Sequence, residues 1–223
     1  MATVGIEVVA RGDWGLAWRP PGEGYMRRAS HALAAEEGLW LVDPIDVDGL
    51  DAELASRGTV AGCVLTIDRH ARDAQPIAAR HGVAVHAHEA LGSMRRRGPL
   101  TRFTGALGTS GLESIPLPGR GAGRWWRECA LRWHDRRVLV VGESVGRAPY
   151  FLIGDEVLGL HPLRRTTPPQ ELAGQAPETL LVGHGDPLTQ DAAAALDDLI
   201  ANGRSRRTFG WRARSALAAW QAR

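Results

Sequence analysis

Three segments of this chain place imidazoles and carboxylates at the ends of apolar runs. Leu181-Val182-Gly183-His184-Gly185-Asp186-Pro187 sets a histidine between two glycines at the mouth of a strand-like run. Thr66-Ile67-Asp68-Arg69-His70-Ala71-Arg72-Asp73 leaves a second apolar run and leads toward a helical one. Val140-Val141-Gly142-Glu143-Ser144 ends a third in a carboxylate. Imidazole nitrogens and carboxylate oxygens supply the lone pairs that hold zinc and similar ions. Packing explains His184 poorly, and three polar strand ends together imply one site.

The order and spacing of these segments resemble the metallo-β-lactamase-like hydrolase superfamily, whose signature runs H-x-H-x-D-H after a strand, then G-H-T/S, a G-D turn and G-H-G. The resemblance extends from Gly38-Leu39-Trp40-Leu41-Val42-Asp43-Pro44, similar to the family's strand ending in aspartate, to Gly183-His184-Gly185, the one segment kept intact. Matched from Thr66 without a gap, the ligand positions read Ile67, Arg69, Ala71 and Arg72. One extra residue after Thr66 instead places Asp68 and His70 on the leading histidines, Arg72 on the aspartate and Asp73 on the last histidine. That register keeps more donors and is preferred. Arg120, in Pro118-Gly119-Arg120-Gly121, then falls where the middle histidine is expected, and Glu143 takes the place of the bridging aspartate.

The resemblance implies an α/β fold, a four-layer αββα sandwich, with residues 1–223 as one domain. It implies a first metal set of Asp68, His70 and Arg120 and a second of Arg72, Asp73 and His184 with Glu143 bridging. An arginine is always protonated and offers no lone pair. The first set is therefore expected to be lost, leaving at most one divalent ion, zinc before manganese or iron. Its candidate ligands are Asp73, Glu143 and His184, with His70 and Asp68 beside them. Arg72 and Arg120 would neutralise the carboxylates through bidentate hydrogen bonds or bind an anion. The function implied is hydrolysis of a small ester, thioester, lactone or phosphoester, with no catalytic residue assigned. The alternative is an inactive relative holding a small anion or a partner protein in an arginine-lined pocket.

Each residue also has a plainer reading. Asp68 suits the N-cap of a helix over residues 69–80, with Asp73 near its positive end, and His70 suits its first turn. Glu143 could serve only as an arginine's partner. Gly142-Glu143-Ser144-Val145-Gly146 spells G-x-S-x-G, which makes Ser144 a nucleophile with His184 as base and Asp155 or Asp186 as the acid. Such an elbow must run into a helix, whereas Tyr150-Phe151-Leu152-Ile153 reads as a strand. His31, His81, His86, His88 and His161 receive no role.

The elements that must position these residues alternate. A β-meander is expected near residues 3–10, 14–18, 29–35 and 38–42. Helix 49–57, strand 59–66, helix 70–81 and strand 83–86 follow in a βαβ rhythm. A Gly/Pro-rich loop over 92–124 interrupts it. Strands near 125–133, 137–141 and 150–153, a helix after Pro168, a strand at 179–182 and a helix over 189–202 complete the order.

Composition excludes several function classes. All 27 basic residues are arginine, which rules out Schiff-base lysine chemistry and a phosphate-loop lysine. A net charge of +2 gives no reason to expect nucleic acid. Arg204, Arg206, Arg207, Arg212 and Arg214, interleaved with Phe209, Trp211, Leu217 and Trp220, read as a terminal amphipathic helix with outward arginines. Arg95-Arg96-Arg97 reads as a solvated loop. Cys63 and Cys129 suit buried positions rather than a disulfide framework. Glu7 and Arg11 interrupt the first apolar stretch, so no leader or span is expected and the cytoplasm is the default. The expected partner is a small-molecule substrate or anion, with no nucleic acid and no membrane; homodimerisation is left open.

Overall fold

In the computed structural model, which describes residues 5–22, 24–94, 98–120 and 124–205, strand alternation sorts the apolar residues into three cores. Strands β1 (Glu7–Gly12), β2 (Gly15–Arg19), β3 (Ser30–Ala35) and β4 (Gly38–Val42) form the expected antiparallel meander. β5 (Val60–Leu65), β6 (Val85–His88) and β7 (Thr101–Phe103) extend it in parallel to a seven-stranded sheet in chain order. The second sheet takes β8 (Leu112–Pro116), β9 (Cys129–Trp133) and β10 (Val138–Val141). A short pair, β11 (Val145–Gly146) with β12 (Gly159–Leu160), intervenes before β13 (Thr179–Val182) joins β10 in parallel.

Period-two patterning explains the layers. Along β4, Leu39 and Leu41 pack with Leu50 and Leu54 of α1 (Leu50–Ala55) and Ile77 and Ala78 of α2 (Ala74–His81). Trp40 and Val42 join Leu131, Trp133, Val138, Val140 and Leu181 of the second sheet. Along β10, Val138 and Val140 enter that shared core while Leu139 and Val141 turn to Leu196, Leu199 and Ile200 of α3 (Ala192–Asn202). The order is helix, sheet, sheet, helix. Strands buried on both faces read as unbroken apolar runs, and each fully buried leucine contributes roughly 2 kcal/mol.

Several expected elements differ. The helix expected from His70 begins only at Ala74, and residues 66–73 stay a loop in which Arg72 has φ 41°. Asp68 is therefore no N-cap. The 92–124 loop carries β7 and β8. Tyr150–Ile153 forms a turn rather than a strand, and the helix after Pro168 is a single 3-10 turn, Gln170–Leu172. Arg95–Arg97 and the arginine-tryptophan tail from Arg206 lie outside the described residues. No helix among the described residues is long and apolar enough to cross a membrane. Cys63 and Cys129 are buried free thiols, each pushed up to about 12 by burial.

The parallel pairs set the functional edge. β4 with β5, and β10 with β13, end on the same side, so Asp43, Thr66–Asp73, Gly142–Glu143 and Gly183–His184 all leave one rim. Gly183 crosses that rim so closely that a Cβ would sit 2.1 Å from the Gly142 carbonyl oxygen. Gly185 holds φ 107°, a conformation side chains disfavour. The two glycines around His184 therefore have separate steric reasons.

His31 of β3 ties the sheets together, its Nε2 lying 3.1 Å from the Val182 carbonyl oxygen. Burial first, then the charge of Arg72, pushes this imidazole down to about 4. Its folded pKa lies below the unfolded value near 6.5, so the unfolded chain takes up the proton first. The contribution is complete above about pH 6.5 and disappears as pH falls toward 4, a loss of roughly 3 kcal/mol from this residue. Urea unfolding at pH 7 and pH 4.5 should show the decline, and His31→Gln should reduce it, the remainder belonging to the other buried imidazoles, His161 and His184; equal slopes in both proteins would refute the assignment.

Candidate metal centre

Asp43 and Thr66 close the ends of β4 and β5 upon each other. The Thr66 amide donates to Asp43 Oδ1 at 2.9 Å, and its hydroxyl donates to Oδ2. The same Oδ2 lies 3.2 Å from His70 Nδ1. Burial pushes the Asp43 carboxyl upward, but hydrogen bonds from His70 and Thr66 and the charges of His70 and Arg72 outweigh it and hold the group below the usual carboxylate range. An ionised carboxylate accepts only, so a His70 proton belongs on Nδ1 and Nε2 is the nitrogen that faces inward.

His184 is arranged in the same way. Its Nδ1 lies 3.0 Å from the Met26 carbonyl oxygen, another pure acceptor, which leaves Nε2 as a lone pair. Burial, followed by the charges of His70 and Arg72, holds His184 well below the ordinary histidine range, so the ring is neutral. The two Nε2 atoms stand 3.3 Å apart. Glu143, on the turn after β10, brings Oε2 to 3.8 Å from His70 Nε2. His70, Glu143 and His184 are all buried, with ligating atoms within 4.8 Å of one another. No other such cluster forms among the described residues.

The Glu143 turn is held from beneath. Buried Glu128 accepts the amides of Glu143 at 2.7 Å and Ser144 at 3.0 Å, the Ser144 hydroxyl, and the Trp126 indole N–H at 2.7 Å. Ser144 is wholly buried and spends its hydroxyl on that carboxylate, and β11 rather than a helix follows it. The nucleophile-elbow reading is thereby corrected. Of its acids, Asp155 is exposed and Asp186 pairs with Arg19 at 2.5 Å.

Other expected site residues lie elsewhere. Asp73 stands before α2, where Oδ2 accepts the Asp46 amide at 2.9 Å. Asp68 pairs with Arg69 at 3.2 Å and is not in the cluster. Arg120 is a surface residue bonded to Glu171 at 2.7 Å. Arg72 donates to the carbonyl oxygens of Ala29, Asp43 (2.9 Å) and Gly183 (3.0 Å), binding three chain segments below the site. The expected carboxylate neutraliser is instead Arg69, whose Nε donates to Glu143 Oε2 at 2.6 Å. Its Cζ lies 3.9 Å from the centre of the Trp126 ring.

Sequence reasoning also passed over His161 and Tyr150. The Leu163 amide donates to His161 Nδ1 at 3.2 Å, so the His161 proton sits on Nε2, 3.3 Å from the Tyr150 hydroxyl and 3.8 Å from Glu143 Oε1. Burial, then the charges of Arg69 and Arg164, pushes His161 down to about 3. It is thus a neutral donor beside the cluster rather than a fourth lone pair. Phe151 covers His184 with ring centres 5.3 Å apart, and Trp126 lies 4.8 Å from the His161 ring. Only their aromatic character marked these residues in the sequence.

No protein-family model and no curated protein matches the sequence. Solved structures do match over almost the whole chain. The DIM-1 metallo-β-lactamase is 13% identical, with a TM-score of 0.64, covering 91% of this chain and 99% of its own. A metallo-β-lactamase from Pontibacter korlensis is 17% identical, with a TM-score of 0.61, covering 88% of this chain and 99% of its own. FIM-1 from Pseudomonas aeruginosa, in its mono-zinc form, is 11% identical, with a TM-score of 0.61, covering 92% of this chain and 98% of its own. The chain has a metallo-β-lactamase-like fold, divergent in sequence.

Asp43→Ala leaves the Thr66 amide, the Thr66 hydroxyl and His70 Nδ1 without their buried acceptor, and should destabilise the protein by about 3–5 kcal/mol. Asp43→Asn, similar in size and able to accept from Thr66, should lose clearly less. Denaturant midpoints decide this, and an alanine variant as stable as the parent would show that Asp43 does not hold the site.

Proposed function

We propose that this protein is a mononuclear metal-dependent hydrolase in which His70 Nε2, His184 Nε2 and the Glu143 carboxylate hold one divalent ion. The observation that carries the reading is the 3.3 Å separation of two inward Nε2 atoms whose rings are each fixed through Nδ1, by Asp43 and by the Met26 carbonyl. A positive charge belongs between two such nitrogens, a shared proton in the unloaded site or a metal ion in the loaded one. Zinc–nitrogen bonds of about 2.0–2.1 Å in a tetrahedron place neighbouring nitrogens roughly 3.4 Å apart, and two imidazoles with one carboxylate leave a fourth position open. The Asp43–His70 contact matches the second partner that fixes a metal-binding imidazole. Zinc is favoured by this donor set over manganese or iron. A single ion also agrees with the mono-zinc form described for FIM-1.

When bound, such an ion acts as a Lewis acid that acidifies water to a pKa of about 7 and polarises a carbonyl or phosphoryl oxygen. The chain's own residues do the rest. Asp43 and the Met26 carbonyl fix the two imidazoles, and His161 presents a neutral N–H toward Glu143 and Tyr150. Trp126, Phe151 and Tyr150 shield the cluster from bulk water, which strengthens every charge inside. The substrate class is a small ester, thioester, lactone or phosphoester. The Arg69–Glu143 contact at 2.6 Å favours a second reading, a metal-free pocket in which the guanidinium pairs with Glu143 in place of an ion and a small anion or partner is bound without turnover.

Protein purified without chelator should carry at most one zinc per chain by elemental analysis, with none after chelation and one regained on dialysis. His184→Ala and His70→Ala should each weaken zinc binding by at least about tenfold. Two tightly held ions per chain would overturn the ligand assignment, and no uptake at all would leave the metal-free reading.

A further inference from the structure

Arg69 and the candidate ion claim the same carboxylate. The guanidinium Nε donates to Glu143 Oε2 at 2.6 Å, and that oxygen is also the one 3.8 Å from His70 Nε2. Glu143 is the sole anion among the three ligating residues. A guanidinium cannot deprotonate to make way, so its positive charge stays beside the site unless the side chain moves. It is held where it is by Asp68 at 3.2 Å and by Trp126, whose ring centre is 3.9 Å from Cζ, with Trp125 at 5.5 Å. Its Nη2 is nevertheless buried without a hydrogen-bond partner, so the seat is not one in which every donor is satisfied.

We propose that Arg69 is the affinity-setting residue of this site: stacked on Trp126, it competes with the metal ion for Glu143 and keeps binding weak and limited to one ion. The inference rests on the metal-binding reading above. A like charge a few ångströms from a divalent ion opposes it strongly where water is excluded. The same contact stabilises the unloaded site, because Glu143 would otherwise be a buried carboxylate with no cation beside it. Metal uptake and the Arg69–Glu143 pair are therefore alternatives for one group. Asp68, already in contact, is the anion that receives Arg69 when Glu143 turns to the metal.

The test is zinc titration of the chelator-treated full chain against a chromophoric chelator. Arg69→Met should bind zinc about tenfold more tightly than the parent, or more, while Arg69→Lys, which keeps the charge, should stay near the parent. Arg69→Gln removes the charge while keeping a polar side chain, and replaces the methionine variant should that fail to fold. The gain must vanish when Glu143→Gln is added, because the competition is for that carboxylate. Zinc affinity equal to or weaker than the parent's in the uncharged variants would overturn the proposal while leaving the metal site intact. Absence of zinc binding in the parent and every variant would overturn the metal-binding reading and this inference with it. Binding only after Arg69 is neutralised would support the competition for Glu143 while overturning the reading of the parent as a metal enzyme.

Discussion

The buried carboxylate of Asp43 is the constraint on which the site depends. It stands at φ 45°, a conformation aspartate tolerates better than most residues, where β4 must turn sharply away from its neighbour. From there it accepts the amide and hydroxyl of Thr66 and fixes His70 Nδ1. Its own carbonyl receives Ser30 Oγ at 2.8 Å and Arg72 at 2.9 Å. One residue thus joins the ends of β4 and β5 to the imidazole they must present. Without its negative charge, His70 has no reason to keep Nδ1 protonated, and the ring loses the contact that turns Nε2 inward.

Arginine supplies the remaining scaffolding, and each guanidinium uses its fork differently. Arg72 lies on carbonyl oxygens from three chain segments, so its charge is met by dipoles and reaches His31 and His184 through space. Arg165 makes a buried bidentate pair with Glu156 at 3.0 and 2.6 Å and donates to the Phe151 carbonyl oxygen at 2.6 Å. That bond sets the backbone of the ring covering His184. A lysine, with one compact ammonium, matches neither geometry. The lysine-free composition is therefore consistent with the architecture, although it does not predict where any one arginine goes.

The order of strands and helices was legible because its cause is local, in apolar runs such as Leu39–Val42 and Val138–Val141, whereas the four-layer sandwich came from the family resemblance and not from these runs. His184 was legible for a related reason, since two glycines have no packing value and need a steric explanation. The 66–73 segment was not. Motif spacing assumes a helix starting near His70, whereas Arg72 at φ 41° delays it to Ala74. The extra loop residues change which side chains point inward: His70 reaches the cluster, Asp73 does not, and Arg69 faces Glu143. Arg120 was misplaced because the Gly/Pro-rich stretch around it carries no periodicity to fix its register. Tyr150 lies in the turn after β11 and His161 follows β12, and their approach depends on Arg165, Glu156 and Gly146 contacts that no local pattern encodes.

At identities of 11–17%, the fold is shared while the sequence has diverged. Where the rim lies is decided by core packing and by the approach of Gly183 to Gly142, neither of which involves the chemistry of the site. Which groups face the rim is decided by single side chains that leave the core untouched. Ile67 illustrates the first kind, fully buried and bridged to Glu128 across the sheets. Arg69 illustrates the second, a partly exposed cation on an aromatic face that bears on the candidate ligand Glu143. A change of side chain at such a position therefore alters the charge that faces the rim without disturbing the strands that present it.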